Sequence, residues 1–143
     1  MGYDILLVSF FGWFTAQFIK IVLDLIFKKK FDFSRIVGSG GMPSSHSSLV
    51  CSTTTCVGFT CGFDSVLFAV CCIFSGIVMY DASGVRRAAG EQAKILNLII
   101  ETWDSDTFEG KQIKLKELLG HTPLQVIAGA ILGILIAILY EVV

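Results

Sequence analysis

Between Pro123 and Val143 the chain carries one charged residue, Glu141. A run of that length and character crosses bilayer hydrocarbon as an α-helix, which needs about 20 residues at a rise of about 1.5 Å each. Residues 3–27, 44–62 and 63–81 are three further stretches of comparable length. Inside a membrane no water can satisfy backbone N–H and C=O groups, so each stretch must satisfy its own, as a helix does. The expectation is an all-α integral membrane protein. It has about four transmembrane helices plus amphipathic interfacial helices, in a single domain over residues 1–143, with loops at 28–43 and 82–122. Composition agrees: 54 % of residues are hydrophobic and 16 % charged, against about a quarter charged in a soluble domain. No cleavable leader is expected, because the first apolar run has no basic flank and no small-residue cleavage site.

The basic residues sort by loop. Lys28, Lys29, Lys30 and Arg35 lie between the first and second stretches. Arg86, Arg87, Lys94, Lys111, Lys114 and Lys116 lie between the third and fourth. These are ten of the eleven; Lys20 is the other. The positive-inside rule then assigns both loops to the cytoplasm and both termini to the outside of a multi-pass protein of the cell membrane. The long second loop holds an amphipathic pattern, with Ile95, Leu98, Ile99 and Trp103 at helical spacing, which suits a surface helix. Asp104–Gly110 is an acidic linker, and Lys111–Leu119 is again interfacial in character.

Polar residues inside the apolar stretches show which of them are enclosed. Lys20 and Asp24 stand four apart in the first, so they share a face that meets protein or water rather than lipid. They read as a structural pair or as the wall of a polar cavity. The second stretch, SSHSSLVCSTTTCVGFTCG, is nearly half serine and threonine. Small hydroxylated residues suit a helix surrounded by other helices, which puts this one at the centre. The five cysteines fall in apolar runs with no CxxC spacing, so they read as small hydrophobes rather than a disulfide or metal framework.

The two histidines stand in similar places. His46 follows Gly38-Ser39-Gly40-Gly41-Met42-Pro43-Ser44-Ser45, a glycine- and serine-rich helix start. His121 precedes Thr122 and Pro123, a cap and first-turn proline. On the predicted topology both reach the cytoplasmic interface, where Lys28, Arg35, Asp81, Arg86 and Arg87 also arrive. Cations and helix-start amides bind phosphate. Two histidines can divide phosphoester cleavage, one attacking phosphorus and one protonating the leaving oxygen. No HExxH or CxxC motif is present, so neither a metal nor another cofactor is expected, and no nucleic acid is expected as a partner.

These residues resemble the type 2 phosphatidic acid phosphatase superfamily, which includes the vanadium haloperoxidases. Its motifs are Lys-x6-Arg-Pro, Pro-Ser-Gly-His and Ser-Arg-x5-His-x3-Asp. Lys28 and Arg35 have the first spacing, with Ile36 for proline. Pro43-Ser44-Ser45-His46 is similar to the second, with Ser45 for glycine. His121 to Gln125 is similar to the end of the third, with Gln125 for aspartate, while Leu115 stands where its arginine would be. The stretches GGMPSSHSS, YDASGVRRAAG and GHTPLQVIAG resemble a divergent bacterial and plant branch of acid-phosphatase-related membrane proteins.

The resemblance implies a role for each position. His121 would be the nucleophile and His46 the leaving-group acid. Lys28, Arg35, Ser44 and Ser45 would bind phosphate, and Arg86 or Arg87 would replace the missing arginine. Gln125 or Asp81 would orient His121. The implied activity is hydrolysis of a lipid phosphomonoester or diphosphate, the substrate being a phospholipid or prenyl phosphate. Two alternatives remain open: a non-catalytic anionic-lipid binder, transporter or scaffold, and a structural subunit whose partner carries the activity. Gly129-Ala130 and Gly133 form a small-residue face that would allow close contact in a homo-oligomer.

Overall fold

The computed structural model describes residues 2–28, 41–102, 115 and 120–142. Arg35, Trp103, the acidic linker and most of the second basic stretch lie outside these, as does the side chain of Lys28. The described residues form five helices. They are α1 (Gly2–Lys28), α2 (Ser45–Cys61), α3 (Val66–Ser83), α4 (Val85–Thr102) and α5 (Pro123–Val142). The protein is an all-α integral membrane protein. Asp4–Ile26, Val66–Glu101 and Pro123–Val142 are long and apolar enough to cross a membrane. The second of these joins α3 to α4, which part only at Gly84 (φ −105°, ψ −82°).

Local sequence sets the helix ends. Ser44 caps α2, and Ser65 caps α3 by accepting from the Phe68 amide at 3.1 Å. Gly62 ends α2 at φ 95°, a backbone state that a Cβ would oppose. The chain then turns through Phe63 and Asp64 into α3.

At 17 residues α2 is the shortest of the described helices, and it is rich in serine and threonine. It packs against α1, α3 and α5, which spares its hydroxyls from lipid. They bond within the protein: Ser48 Oγ donates to the Gly12 carbonyl at 2.8 Å, and Thr54 Oγ1 meets Ser75 Oγ at 2.7 Å. Small residues let the backbones close in. A Cβ on Gly12 would lie 2.5 Å from Ser52 Oγ. Methyl groups on Gly129 and Gly133 would overlap the carbonyl oxygens of Ser44 and Ser48. The glycine face that the sequence offered to a second copy is therefore used inside the chain, between α5 and α2.

These contacts give the direction of each helix. Val8 clusters with Cys56, Gly12 meets Ser48, and Lys20 meets Gly41, so α1 runs antiparallel to α2. Cys51 bonds Met79 and, a turn further on, Thr54 bonds the Cys71 carbonyl, so α3 is antiparallel too. Gly129 meets Ser44, Gly133 meets Ser48 and Ala137 meets Cys56, so α5 runs parallel to α2. The outer faces carry large apolar side chains, such as Phe10, Phe14 and Phe18 on α1 and Ile127, Ile131 and Leu135 on α5. That is the arrangement a lipid solvent requires. Cys51 and Cys56 are buried as small hydrophobes, whereas Cys61 and Cys72 are on the outer surface.

Candidate functional site: a histidine pair where four helix ends meet

The alternation of helix directions brings four ends to one side: the C-terminal ends of α1 and α3 and the N-termini of α2 and α5. Each N-terminus carries unpaired amides and the positive end of its helix dipole. Each also carries a histidine, and the rings of His46 and His121 face one another with centroids 6.4 Å apart at 62°. The two residues are 75 positions apart in sequence and meet because α2 and α5 run parallel, in register through Ser44 and Gly129.

Two backbone bonds seat these helix starts. The Ser44 amide donates to the Gln125 carbonyl at 3.0 Å, and the His121 amide donates to the Ala82 carbonyl at 2.8 Å. Gly120 makes the second possible: it has φ 86°, and a side chain there would collide with the backbone of Arg86 and Arg87. Ser44 is also committed through its hydroxyl, which accepts from the Ser47 amide at 3.4 Å and the Ser47 hydroxyl at 3.0 Å. Ser44, expected to hold phosphate by amide and hydroxyl, thus uses its amide to join α2 to α5 and its hydroxyl to cap α2. Ser45 is buried on the same turn.

Gln125 has a second role that its motif position did not suggest. Its Oε1 accepts from the Thr122 amide at 3.1 Å, and its own amide donates back to Thr122 Oγ1 at 3.4 Å. Thr122-Pro123-Leu124-Gln125 is therefore a capping box. The same Oε1 lies 3.3 Å from His121 Nδ1. A backbone N–H can only donate, so the amide oxygen, not the nitrogen, must face Thr122. Nδ1 must then carry the proton that meets this oxygen, and Nε2 keeps its lone pair. His121 is 2 % exposed, and Nε2 meets no hydrogen-bond partner among the described residues. Burial pushes the His121 pKa below its ordinary value, and the charges of Lys20 and His46 push the same way. The Gln125 bond and the nearby Gly41 carbonyl oppose the shift.

The cations divide. Asp81, expected as an alternative orienter of His121, is bonded instead by Arg86 Nε at 2.6 Å. Arg86 and Asp81 both act electrostatically on His46, which puts this pair at the edge of the histidine layer. Arg87 bonds Glu91 one turn along α4 at 3.3 Å. Leu115, at the position of the missing motif arginine, is clasped through its backbone by the Asn97 side chain, with two bonds of 2.9 Å. Among the described residues, no three His, Cys, Asp or Glu side chains cluster as metal ligands.

Lys20 was not among the expected site residues. It is 2 % exposed and its charge acts on both histidines. One signal pointed to it: Val8, Gly12, Ala16 and Lys20 are spaced four apart, and all four are buried on one stripe of α1.

The fold and this layer define a helical membrane protein with a histidine pair at one end of its bundle. Residues 1–136 match the family described as Divergent PAP2 family, and the chain belongs to it. It is 43 % identical over 143 residues to the uncharacterized membrane protein YuiD of Bacillus subtilis (strain 168), covering 93 % of this chain and 90 % of that protein. No solved structure matches.

Proposed function

We propose that the protein is a membrane phosphatase that hydrolyses a phosphomonoester or diphosphate on a lipid, at a cytoplasm-facing site. The observation that supports this best is the bare, buried Nε2 of His121 beside His46. In this reaction Nε2 attacks phosphorus, the N–P bond forms and the P–O bond to the lipid breaks. His46 gives its proton to the leaving oxygen. Water then attacks the phosphohistidine, His46 takes the water's proton, and the N–P bond breaks to release phosphate. Two helix starts and the cationic rim stabilise charge on the equatorial oxygens. In this reading α1, α2, α3 and α5 cross the membrane with both termini outside, the layer faces the cytoplasm, and the lipid tail enters sideways from the bilayer.

The test is release of inorganic phosphate from phosphatidic acid, phosphatidylglycerophosphate and a prenyl diphosphate by the purified protein. His121→Asn and His46→Asn should each abolish it; full activity in both sinks the mechanism. One observation favours a second reading, an anionic-lipid binder without turnover. Gln125 offers His121 a neutral oxygen, which stabilises an imidazolium less than a carboxylate does. Lipid binding without phosphate release in the wild type would select that reading.

A further inference from the structure

We infer that Lys20 is a phosphoryl-binding residue of this site, holding the ligand's oxygens from the α1 side, opposite the starts of α2 and α5. The inference rests on the phosphate reading above and names a residue that the motif resemblance leaves out.

The geometry comes first. Lys20 ends the buried stripe of α1, and its stem lies along the backbone of Gly41: a Cβ at Gly41 would stand 3.2 Å from both Cγ and Cδ. Gly41 itself has φ 84°, so backbone conformation and the lysine stem both favour glycine there. The Gly41 carbonyl in turn faces the His121 ring. Lys20, Gly41, His121 and His46 therefore form one contiguous group at the end of the bundle.

The other described cations are less suited. Arg86 and Arg87 have side chains about half exposed, and Lys94 is exposed on α4. Among the described cationic side chains, Lys20 alone is buried. A buried ionisable residue in a membrane helix is costly and usually serves function. Its chemistry fits a tetrahedral oxyanion: an ammonium is a compact charge with three donors that rotate to meet non-planar oxygens. A phosphate oxygen beside it would take donors from Lys20 and His46 while His121 keeps its Nε2 lone pair for phosphorus.

The experiment uses the full chain in detergent, with inorganic phosphate and orthovanadate as probes in calorimetric titrations. Lys20→Met should weaken both affinities on the order of ten- to a hundredfold, the loss of one charge-assisted hydrogen bond. Lys20→Arg should restore most of the binding. The pH profile should also move: without the neighbouring cation, protonation of the histidines extends to higher pH. A purely structural lysine would lower the melting temperature but leave the affinity and pH profile of the folded protein as in wild type, and that result overturns the inference. If Lys20→Met does not fold, Lys20→Gln removes the same charge and carries the same test. Wild-type protein that binds neither probe overturns this inference and the phosphate reading together, whereas binding indifferent to position 20 overturns this inference alone.

Discussion

Gln125→Glu is the most informative single change in the layer. It keeps side-chain length and the oxygen that accepts from the Thr122 amide, and it turns the partner of His121 from a neutral amide into a carboxylate. The separation is 3.3 Å. A unit charge at that distance is worth about 5 kcal/mol at an effective dielectric near 20. Desolvation of the new carboxylate offsets part of this, leaving an expected rise of about 1–3 pKa units in His121, or ~1.4–4 kcal/mol.

The sign of the stability change follows. In the wild type the folded His121 pKa lies below its ordinary 6.5. The unfolded chain then binds the extra proton more readily, so stability is full above 6.5 and falls as pH drops through the folded value. In Gln125→Glu the carboxylate raises the folded pKa, so the loss on the acid side shrinks, and once the folded pKa passes 6.5 the sign reverses. The His121 contribution to the melting temperature from about pH 5 to about pH 8 should therefore rise with pH in the wild type and rise less steeply, or fall, in the variant. Histidine ring resonances would report the pKa directly. If the variant's melting curve keeps the wild-type slope and the His121 resonance does not move, Gln125 is not the Nδ1 partner, and the assignment of the lone pair to Nε2 fails with it. For activity, the carboxylate should raise phosphate release if the site is catalytic and leave it at zero if the site only binds.

Two further outcomes test the scaffold. Gly133→Ala should destabilise by ~1–3 kcal/mol in a detergent melt, because its methyl group meets the Ser48 backbone, which cannot yield as a side chain can. Gly76→Ala on α3, where nothing lies within 4 Å, should be neutral or gain up to ~1 kcal/mol; equal losses in both would refute the close α2–α5 approach. Asp81→Asn should cost at most ~1 kcal/mol, as its bond to Arg86 is partly exposed, while lowering phosphate release by freeing Arg86 from the rim. A melt as low as that of Gly133→Ala would instead show that this pair holds the α3–α4 junction.

Much of the site was legible as a set of residues. His46 and His121 stood out because the chain has only two histidines and both begin helices. Asp81 and Arg86 were placed near them by the end of the third stretch. A pairing of Asp81 with one of the two arginines was legible; that it is Arg86 was not, since a carboxylate five residues before an arginine can reach it only if the helix turns suitably at Gly84. Lys20 was hidden for a different reason: its spacing to Asp24 suggested a pair on α1, while what matters is the stripe it shares with Gly12 and Ala16 and the helix start it faces. Gln125 looked like a lost catalytic carboxylate, and only its bonds to Thr122 show the capping task that glutamine also performs.

The sequence by itself determined the helical membrane architecture, because long apolar runs in hydrocarbon have to satisfy their own backbone. It also determined that the serine-rich helix is central, because so many hydroxyls need protein around them, and where the last helix begins, because Thr122 caps it ahead of Pro123. The tertiary structure decided what faces what. Parallel packing of α5 on α2, allowed by Gly129 and Gly133, brings the histidines together. Antiparallel α1 delivers Lys20 to them, and the Ala82 carbonyl fixes His121 at the junction of α3 and α4. Helix direction and register depend on contacts between segments far apart in the chain, and no local pattern of residues contains them.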